Sequence, residues 1–322
     1  MQSSSRYKAT PQAPISSGFA AQSTANEVLA GQDLHGRFAI VTGGYSGIGL
    51  ETTRALAEAG ATVIAAGRSA QSSRAAVSGL QNVTVEELDL IDPASIDTFA
   101  QRYLDSGRPL HILINNAGIM SPPLTRDARG YESQFAINHL GHFQLTARLW
   151  PVLKQAGEAR VVSLSSTGIR FGGVDFDDPN YDRKEYDKHK AYGQSKSATS
   201  LFAVALDRRG FTEGVRAFAV HPGAVLSNLI RYMTEEELAA ASAFFQFKTA
   251  EQGAATSVWC AASKQLQGMG GVYCENVDIA KSITGTESTV IPDGVCAWAI
   301  DPDLAESLWM LSEKLTGVDF KM

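Results

Sequence analysis

Cysteine is scarce. Cys260, Cys274 and Cys296 are the three in 322 residues, and no C-x-x-C spacing joins them. Neither a disulfide framework nor a thiolate zinc site is expected, and a reducing cytoplasm suits such a chain. Clusters of Lys and Arg are missing as well. Acidic residues outnumber basic ones 34 to 28, for a formal charge of −6 and an isoelectric point near 5.6. Phosphate backbones and anionic lipids attract concentrated positive charge, so neither nucleic acid nor a membrane surface is expected as a partner. Met1 to Gly31 is rich in Ser, Ala, Gln and Thr. It holds no apolar run long enough for a signal sequence or a bilayer span, so no membrane anchor is expected and the expected location is cytoplasmic. The chain shows no internal repeat.

What the sequence does have is enough apolar residue, 44%, to bury one large core. Residues 1–35 carry little hydrophobic periodicity and read as a flexible or surface-wrapping arm. Residues 36–322 read as one domain that includes the substrate pocket. From Gly36 onward, short β-branched runs alternate with amphipathic helical stretches, which implies a doubly wound α/β fold: a parallel sheet of about seven strands with helices on both faces. Strands are expected at Phe38 to Thr42, Thr62 to Ala66, Val83 to Leu88, Ile112 to Asn115, Arg160 to Leu164, Arg216 to Val220 and near Gly271 to Tyr273. Helices are expected at Gly49 to Glu58, Ser95 to Leu104, Tyr131 to Trp150 and Tyr192 to Arg208, where apolar residues recur three and four apart.

Directly after the first strand stands Thr42-Gly43-Gly44-Tyr45-Ser46-Gly47-Ile48-Gly49, with a helix following at once. Glycines there permit a tight turn and let backbone N–H groups approach a pyrophosphate at the positive end of the helix. The spacing is G-x-x-x-G-x-G, and taken alone it also fits a plain strand-to-helix turn. The second strand ends in Gly67-Arg68-Ser69, without the acid that would bind a ribose 2′-hydroxyl. Arg68 offers a guanidinium fork to a 2′-phosphate, so NADP(H) is favoured over NAD(H), although a plain surface arginine is the simpler alternative. Asp89 and Leu90 after the third strand can meet an adenine, or Asp89 can serve the start of the next helix with Asp92-Pro93. Asn116, Ala117 and Gly118 end the fourth strand beside the same groove.

Tyr192 and Lys196 lie four apart, on one face of a helix, where a phenol and an ammonium can act together as an acid and base. A Tyr-x-x-x-Lys spacing by itself is also common on helix surfaces. Its place after the fifth strand strengthens the chemical reading, because that strand ends in Ser165-Ser166, whose hydroxyls can polarise a carbonyl. Asn138 can break its helix locally and hold a water that relays protons from Lys196. His139 and His142 lack a third ligand, so helix packing suits them better than a metal.

In this order, the glycine turn, Asn-Asn-Ala-Gly, Asn138, the Ser pair before Tyr192-Gly193-Gln194-Ser195-Lys196, and His221-Pro222-Gly223 make residues 36 to 322 resemble the short-chain dehydrogenase/reductase family, and within it the retinol dehydrogenase-like group. The resemblance implies a Rossmann-type fold with Tyr192 as acid/base, Lys196 lowering its pKa and binding the nicotinamide ribose, Asn138 completing a proton relay, and Ser166 rather than Ser165 binding substrate. It implies Val225 and Ser227 as nicotinamide contacts, with Ser227 standing where the family often has Thr. It further implies a homodimer or homotetramer joined through the helices at Tyr131 to Trp150 and Tyr192 to Arg208.

The segment Leu226 to Phe247 carries Leu229, Ile230, Met233, Phe244, Phe245 and Phe247, which line a hydrophobic pocket or simply fill a helix core. Ile279 to Ile300, with Cys296 and Trp298, supplies a further wall. Gly172 to Lys190 reads as a solvated flap. The expected activity is NADP(H)-dependent interconversion of a hydrophobic secondary or aromatic alcohol and its ketone or aldehyde. Two alternatives are a carbon–carbon double-bond reductase resembling protochlorophyllide reductases, and a non-catalytic NADP(H)-binding regulator.

Overall fold

The computed structural model describes residues 7–283 and 293–320. In chain order the strands are β1 (Phe38–Thr42), β2 (Thr62–Gly67), β3 (Val83–Glu87), β4 (Ile112–Asn115), β5 (Ala159–Leu164), β6 (Val215–His221), β7 (Val272–Glu275) and β8 (Asp278–Ile279), followed by a small parallel pair, β9 (Ser282–Ile283) and β10 (Val295–Cys296). The main sheet runs β3-β2-β1-β4-β5-β6-β7-β8 and is parallel except for β8. The helices are α1 (Ala25–Leu29), α2 (Gly47–Glu58), α3 (Ala70–Ala76), α4 (Pro93–Asp105), α5 (Ser133–Phe135), α6 (Gly141–Arg148), α7 (Trp150–Gln155), α8 (Lys188–Gly210), α9 (Glu235–Phe244), α10 (Ala250–Ala262) and α11 (Pro302–Thr316).

Strand periodicity sorts the core into two layers. In β1, Ile40 joins the cluster under α4, α6, α8 and α11, while Ala39 and Val41 join the one under α1, α2 and α10. Successive side chains of a strand face opposite ways, so apolar runs in a sheet covered on both sides feed both layers. Each fully buried aliphatic side chain contributes roughly 1.5–3 kcal/mol.

Four expectations change in detail. The sheet has an eighth strand, the two-residue antiparallel β8, because the chain reverses through Asn276 and Val277 without the Asn-Gly pair that marks such hairpins. The expected helix from Tyr131 to Trp150 is divided, with a π-helical turn at Ala136–Leu140 centred on Asn138. The Gly172 to Lys190 flap is tied down: Asp178 accepts N–H bonds from Asp182, Arg183 and Lys184 at 2.8, 3.1 and 3.2 Å, and Asn180 and Tyr181 are buried. The two helices expected to carry a subunit interface are packed within the chain, for α11 lies on α8 and its Trp309 meets Phe143 at 5.1 Å and Phe202 at 6.1 Å.

Residues 7–35 lie against the rest of the protein. Gln12 donates to the carbonyls of Tyr273 and Ala280, both at 2.8 Å, and accepts from the Tyr273 N–H at 2.9 Å. The Tyr273 carbonyl also accepts from Ala280 N–H at 3.0 Å, so Gln12 clasps the backbone where β7 and the residues after β8 meet. Helix α1 begins with a capping box between Thr24 and Glu27 and buries Ala25, Val28 and Leu29 in the second cluster.

Candidate active site

The glycine turn joins β1 to α2 and is folded so tightly that side chains have no room. Gly43 and Gly47 take φ of +65° and +51°, and a Cβ on Gly49 would fall on the Gly43 carbonyl. Ser46 is the N-cap of α2, yet its hydroxyl makes no cap bond. The first-turn N–H groups of a helix lack intrahelical partners and suit an anion. Ile48 packs near Val225 around Gly253, where a Cβ would lie 3.1 Å from Ile48 and 2.8 Å from Val225. The Cβ of Ser227 would lie 3.4 Å from one on Gly47. The segment after β6 therefore closes over the same turn. Ser227 also caps the short helix Asn228–Tyr232, accepting from Leu229 N–H at 3.3 Å.

At the far end of the cleft, the ring of Tyr45 rests on Gly67, where no side chain would fit. Arg68, next in the chain, is exposed and has no ion-pair partner among the described residues. Ser69 follows it and is exposed. Asp89 accepts from Ile91 N–H at 3.3 Å, and its own N–H donates to Ser95 at 2.9 Å, so it shapes the approach to α4, whose N-cap is Asp92 with Pro93 behind it. Leu90 is buried and backs Gly141, where a Cβ would lie 3.0 Å from that of Leu90.

Thr42, which sequence reasoning passed over, is the hub beneath the fourth-strand loop. Its hydroxyl oxygen accepts from Asn116 N–H and Ala117 N–H, both at 2.9 Å, and the Asn116 amide donates to the Thr42 carbonyl at 2.7 Å. His142 donates from Nδ1 to the Asn138 carbonyl at 3.0 Å, which leaves Nε2 to accept from Thr42 at 2.9 Å. Burial pushes the His142 imidazole down to about 4 and that of His139 to about 3, so both are neutral packing groups. No cluster of three or more metal-ligating side chains occurs among the described residues.

Tyr192, Lys196, Ser166 and Asn138 come together from three elements. Tyr192 and Lys196 sit on α8 at 5% and 4% exposure, with the ammonium 5.7 Å from the phenol ring centre. Ser166 caps the short helix Thr167–Phe171, accepts from Gly168 N–H at 3.0 Å and borders the same glycine as the Tyr192 ring. Gly168 makes the bed for the tyrosine, since a Cβ there would lie 2.7 Å from the ring. Ser165 instead donates to the Lys196 carbonyl at 2.8 Å and turns away from the phenol's partner. Asn138 accepts from Ile119 N–H at 2.9 Å and donates to the Ile119 carbonyl at 3.0 Å and to Ser195 at 2.9 Å. Both of its amide hydrogens are used, so only an acceptor lone pair on Oδ1 remains for a relay water. A Cβ on Gly118 would stand 3.0 Å from that oxygen and 3.5 Å from Lys196 Nζ.

The electrostatics differ from the expected pairing. Burial pushes the Tyr192 phenol up to about 12, with the nearby Ser166 hydroxyl acting against it. Burial also brings Lys196 down to about 8. The ammonium donates to the Leu164 carbonyl at 2.8 Å, and at its distance it does not offset the desolvation of the phenol. The Tyr192 phenol is thus protonated at neutral pH in this state.

The apolar residues after β6 do not fill a helix core. No residue of α9 is buried, and Leu226, Tyr232 and Phe244 are exposed, as is Phe171. A link that the sequence did not announce ties α9 to the start of α8: Glu237 pairs with Lys188 at 2.7 Å and with His189 at 3.1 Å. Of the expected C-terminal wall, Trp298 donates to the Ile169 carbonyl at 3.3 Å, Cys296 is buried in the core, and residues 284–292 lie outside the described residues.

No helix among the described residues is long and apolar enough to cross a membrane. A sequence profile described as short chain dehydrogenase matches residues 37–238. The chain is 44% identical to a probable oxidoreductase of Streptomyces antibioticus over 293 residues, which cover 86% of this chain and 96% of that protein. It is 38% identical to retinol dehydrogenase 12 of Mus musculus over 297 residues, covering 89% and 88%. A solved structure of an uncharacterized Mycobacterium paratuberculosis protein matches with a TM-score of 0.72 at 34% identity, over 94% of this chain and 100% of that one. Pseudomonas aeruginosa RhlG, solved as an NADP active-site complex, matches with a TM-score of 0.62 at 25% identity, over 76% and 96%. On the profile, the relatives and the eight-stranded Rossmann-like sheet together, the chain belongs to the short-chain dehydrogenase/reductase family of oxidoreductases.

Proposed function

We propose that the chain is an NADP(H)-dependent alcohol dehydrogenase or carbonyl reductase that interconverts a hydrophobic secondary or aromatic alcohol and its ketone or aldehyde. The observation that carries this reading is the convergence of the Tyr192 ring and the Ser166 hydroxyl on Gly168, where a Cβ would lie 2.7 and 3.4 Å from them, with the Lys196 ammonium 5.7 Å from the same ring centre. The groove from Arg68 to Ser227 fits the dinucleotide: its floor is glycine where a Cβ would collide, and its far end offers a guanidinium without an ion-pair partner among the described residues to a 2′-phosphate. Gly43, Tyr45, Ser46, Gly47, Ile48 and Gly49 would hold the pyrophosphate side, Arg68 and Ser69 the 2′-phosphate, and Asp89 and Leu90 the adenine. Asn116, Ala117, Gly118, Pro222, Gly223, Val225 and Ser227 would line the nicotinamide side with Tyr192 and Lys196.

When bound, the reduced cofactor supplies the hydride that a carbonyl carbon receives. Tyr192 gives its hydroxyl proton to the carbonyl oxygen, and Ser166 donates a hydrogen bond to that oxygen as its negative charge grows. Lys196 keeps a positive charge beside the phenolate that results and returns a proton toward it. Asn138 fixes the loop at Ile119 and the helix at Ser195, and its remaining Oδ1 lone pair can hold the relay water. The reverse sequence oxidises the alcohol, with Tyr192 taking the proton.

The exposed apolar side chains of Leu226, Tyr232, Phe244 and Phe171 favour a hydrophobic substrate, as does similarity to a protein named a retinol dehydrogenase. A cytoplasmic protein is the reading adopted for location. A homodimer or homotetramer would have to meet through surfaces other than the α6 and α8 faces that α11 covers. A panel of ketones, aldehydes and alcohols, assayed with NADPH and NADH in parallel, tests the reading. Turnover of apolar carbonyls with NADPH supports it. Cofactor binding without turnover of any carbonyl supports the regulator instead, and reduction confined to conjugated double bonds supports the ene-reductase.

A further inference from the structure

Between β7 and β8 the chain takes an unfavourable path. Asn276 and Val277 have φ of +50° and +61°, and a β-branched valine rarely adopts the left-handed region. Val277 is held there because its side chain is buried in the second core cluster and its N–H donates to Thr256 at 3.1 Å. Strain of this kind persists where the surroundings fix it, and it marks places where geometry matters. What the turn presents is the Asn276 side chain, whose Oδ1 accepts from Lys248 Nζ at 2.8 Å.

Lys248 in turn grips the segment after β6 twice. Its N–H donates to the Ala224 carbonyl at 2.8 Å, forming a bridge with Val225, and its side-chain stem lies across Gly223. A Cβ on Gly223, which has φ of +89°, would stand 2.7 Å from Cδ and 2.8 Å from Cε of Lys248. Asn276 is thus joined through one lysine to the Pro222–Gly223 turn and to Val225, which packs near Ile48 at the start of α2.

We propose that Lys248, anchored by Asn276, is a positioning residue that sets the Gly223 to Ser227 segment against the glycine turn and so holds the nicotinamide half of the dinucleotide. The inference rests on the cofactor reading above. It places Lys248 behind the backbone that touches the cofactor, so its loss loosens one half of the ligand and spares the adenine half.

The test compares Lys248→Met, which keeps an unbranched stem without the amine, with Asn276→Gly, which keeps the left-handed turn without the acceptor. Asn276→Asp, which retains an acceptor, is the conservative control. Affinity is measured for NADPH by nicotinamide fluorescence and for 2′,5′-ADP, which lacks the nicotinamide half, together with the melting temperature of each variant. The expected result is NADPH affinity about tenfold lower in the first two variants, 2′,5′-ADP affinity unchanged, and NADPH affinity restored in Asn276→Asp. Unchanged NADPH affinity in both variants, or equal loss for both ligands, overturns the proposal. A wild-type chain that binds neither NADPH nor NADH overturns the functional reading itself, which the 2′,5′-ADP comparison keeps distinct from failure of the lysine's role.

Discussion

Asn138 and Ile119 exchange hydrogen bonds in both directions, Oδ1 accepting from the Ile119 N–H at 2.9 Å and Nδ2 donating to its carbonyl at 3.0 Å. The side-chain amide thereby pairs with a loop peptide as a neighbouring strand would. The remaining amide hydrogen goes to Ser195 on α8, one residue from Lys196. The π-helical turn at Ala136–Leu140 brings this one side chain to both.

Asn138→Asp therefore removes two donors and leaves the Ile119 carbonyl and the Ser195 hydroxyl without them. A buried group left unpaired costs about 1–3 kcal/mol. Thermal unfolding should show a clear drop in melting temperature, and turnover should fall more steeply than cofactor affinity.

Reduction should lose rate as pH rises past about 8. Burial brings Lys196 to about 8, so its ammonium is present below that pH and is lost above it, while Tyr192 stays protonated to about 12. A pH profile of carbonyl reduction checks this. In Lys196→Arg, whose guanidinium keeps its proton, the residual activity should lack that alkaline limb.

Arg68→Ala should raise the KM for NADPH and leave that for NADH nearly unchanged. A hydrogen bond to a charged partner contributes about 1.5–3 kcal/mol, or roughly ten- to a hundredfold in affinity. Equal effects on both cofactors would show that the arginine does not read the 2′-phosphate.

Glu275→Gln should stabilise the fold at pH 8 and change little at pH 4. Burial, helped by Asp293, pushes the Glu275 carboxyl from 4.5 up to about 7, against the Gly294 N–H, Arg170 and Lys248. With the folded value raised, the protonated form is favoured in the fold. Its stabilising contribution is complete below about 4.5 and is lost as pH rises through about 7, on the order of 3 kcal/mol in all. Chemical denaturation of both proteins at the two pH values measures it.

Much of the fold could be read from the chain, because a parallel sheet covered on both faces leaves plain marks: Phe38 to Thr42 and Ile112 to Asn115 are short apolar runs that became β1 and β4 within the expected bounds. Strand β8 could not, since two residues carry no periodicity and the Asn276-Val277 turn is held by tertiary packing. At the site, residue types and order pointed to Tyr192, Lys196 and Ser166, and the structure brings them together. Their electrostatics were out of reach, because desolvation depends on neighbours distant in sequence, and burial raised the phenol where an adjacent amine suggested the reverse. The roles of Thr42, Lys248 and Glu237 were hidden for the same reason: their partners Asn116, Asn276 and Lys188 are remote along the chain.

The most direct measurement is the single-turnover rate of carbonyl reduction by Tyr192→Phe with NADPH affinity determined on the same sample. The account predicts unchanged binding and a rate lower by about 10²–10⁴, the contribution of a positioned proton donor. Turnover close to the wild-type rate with NADPH bound would contradict it.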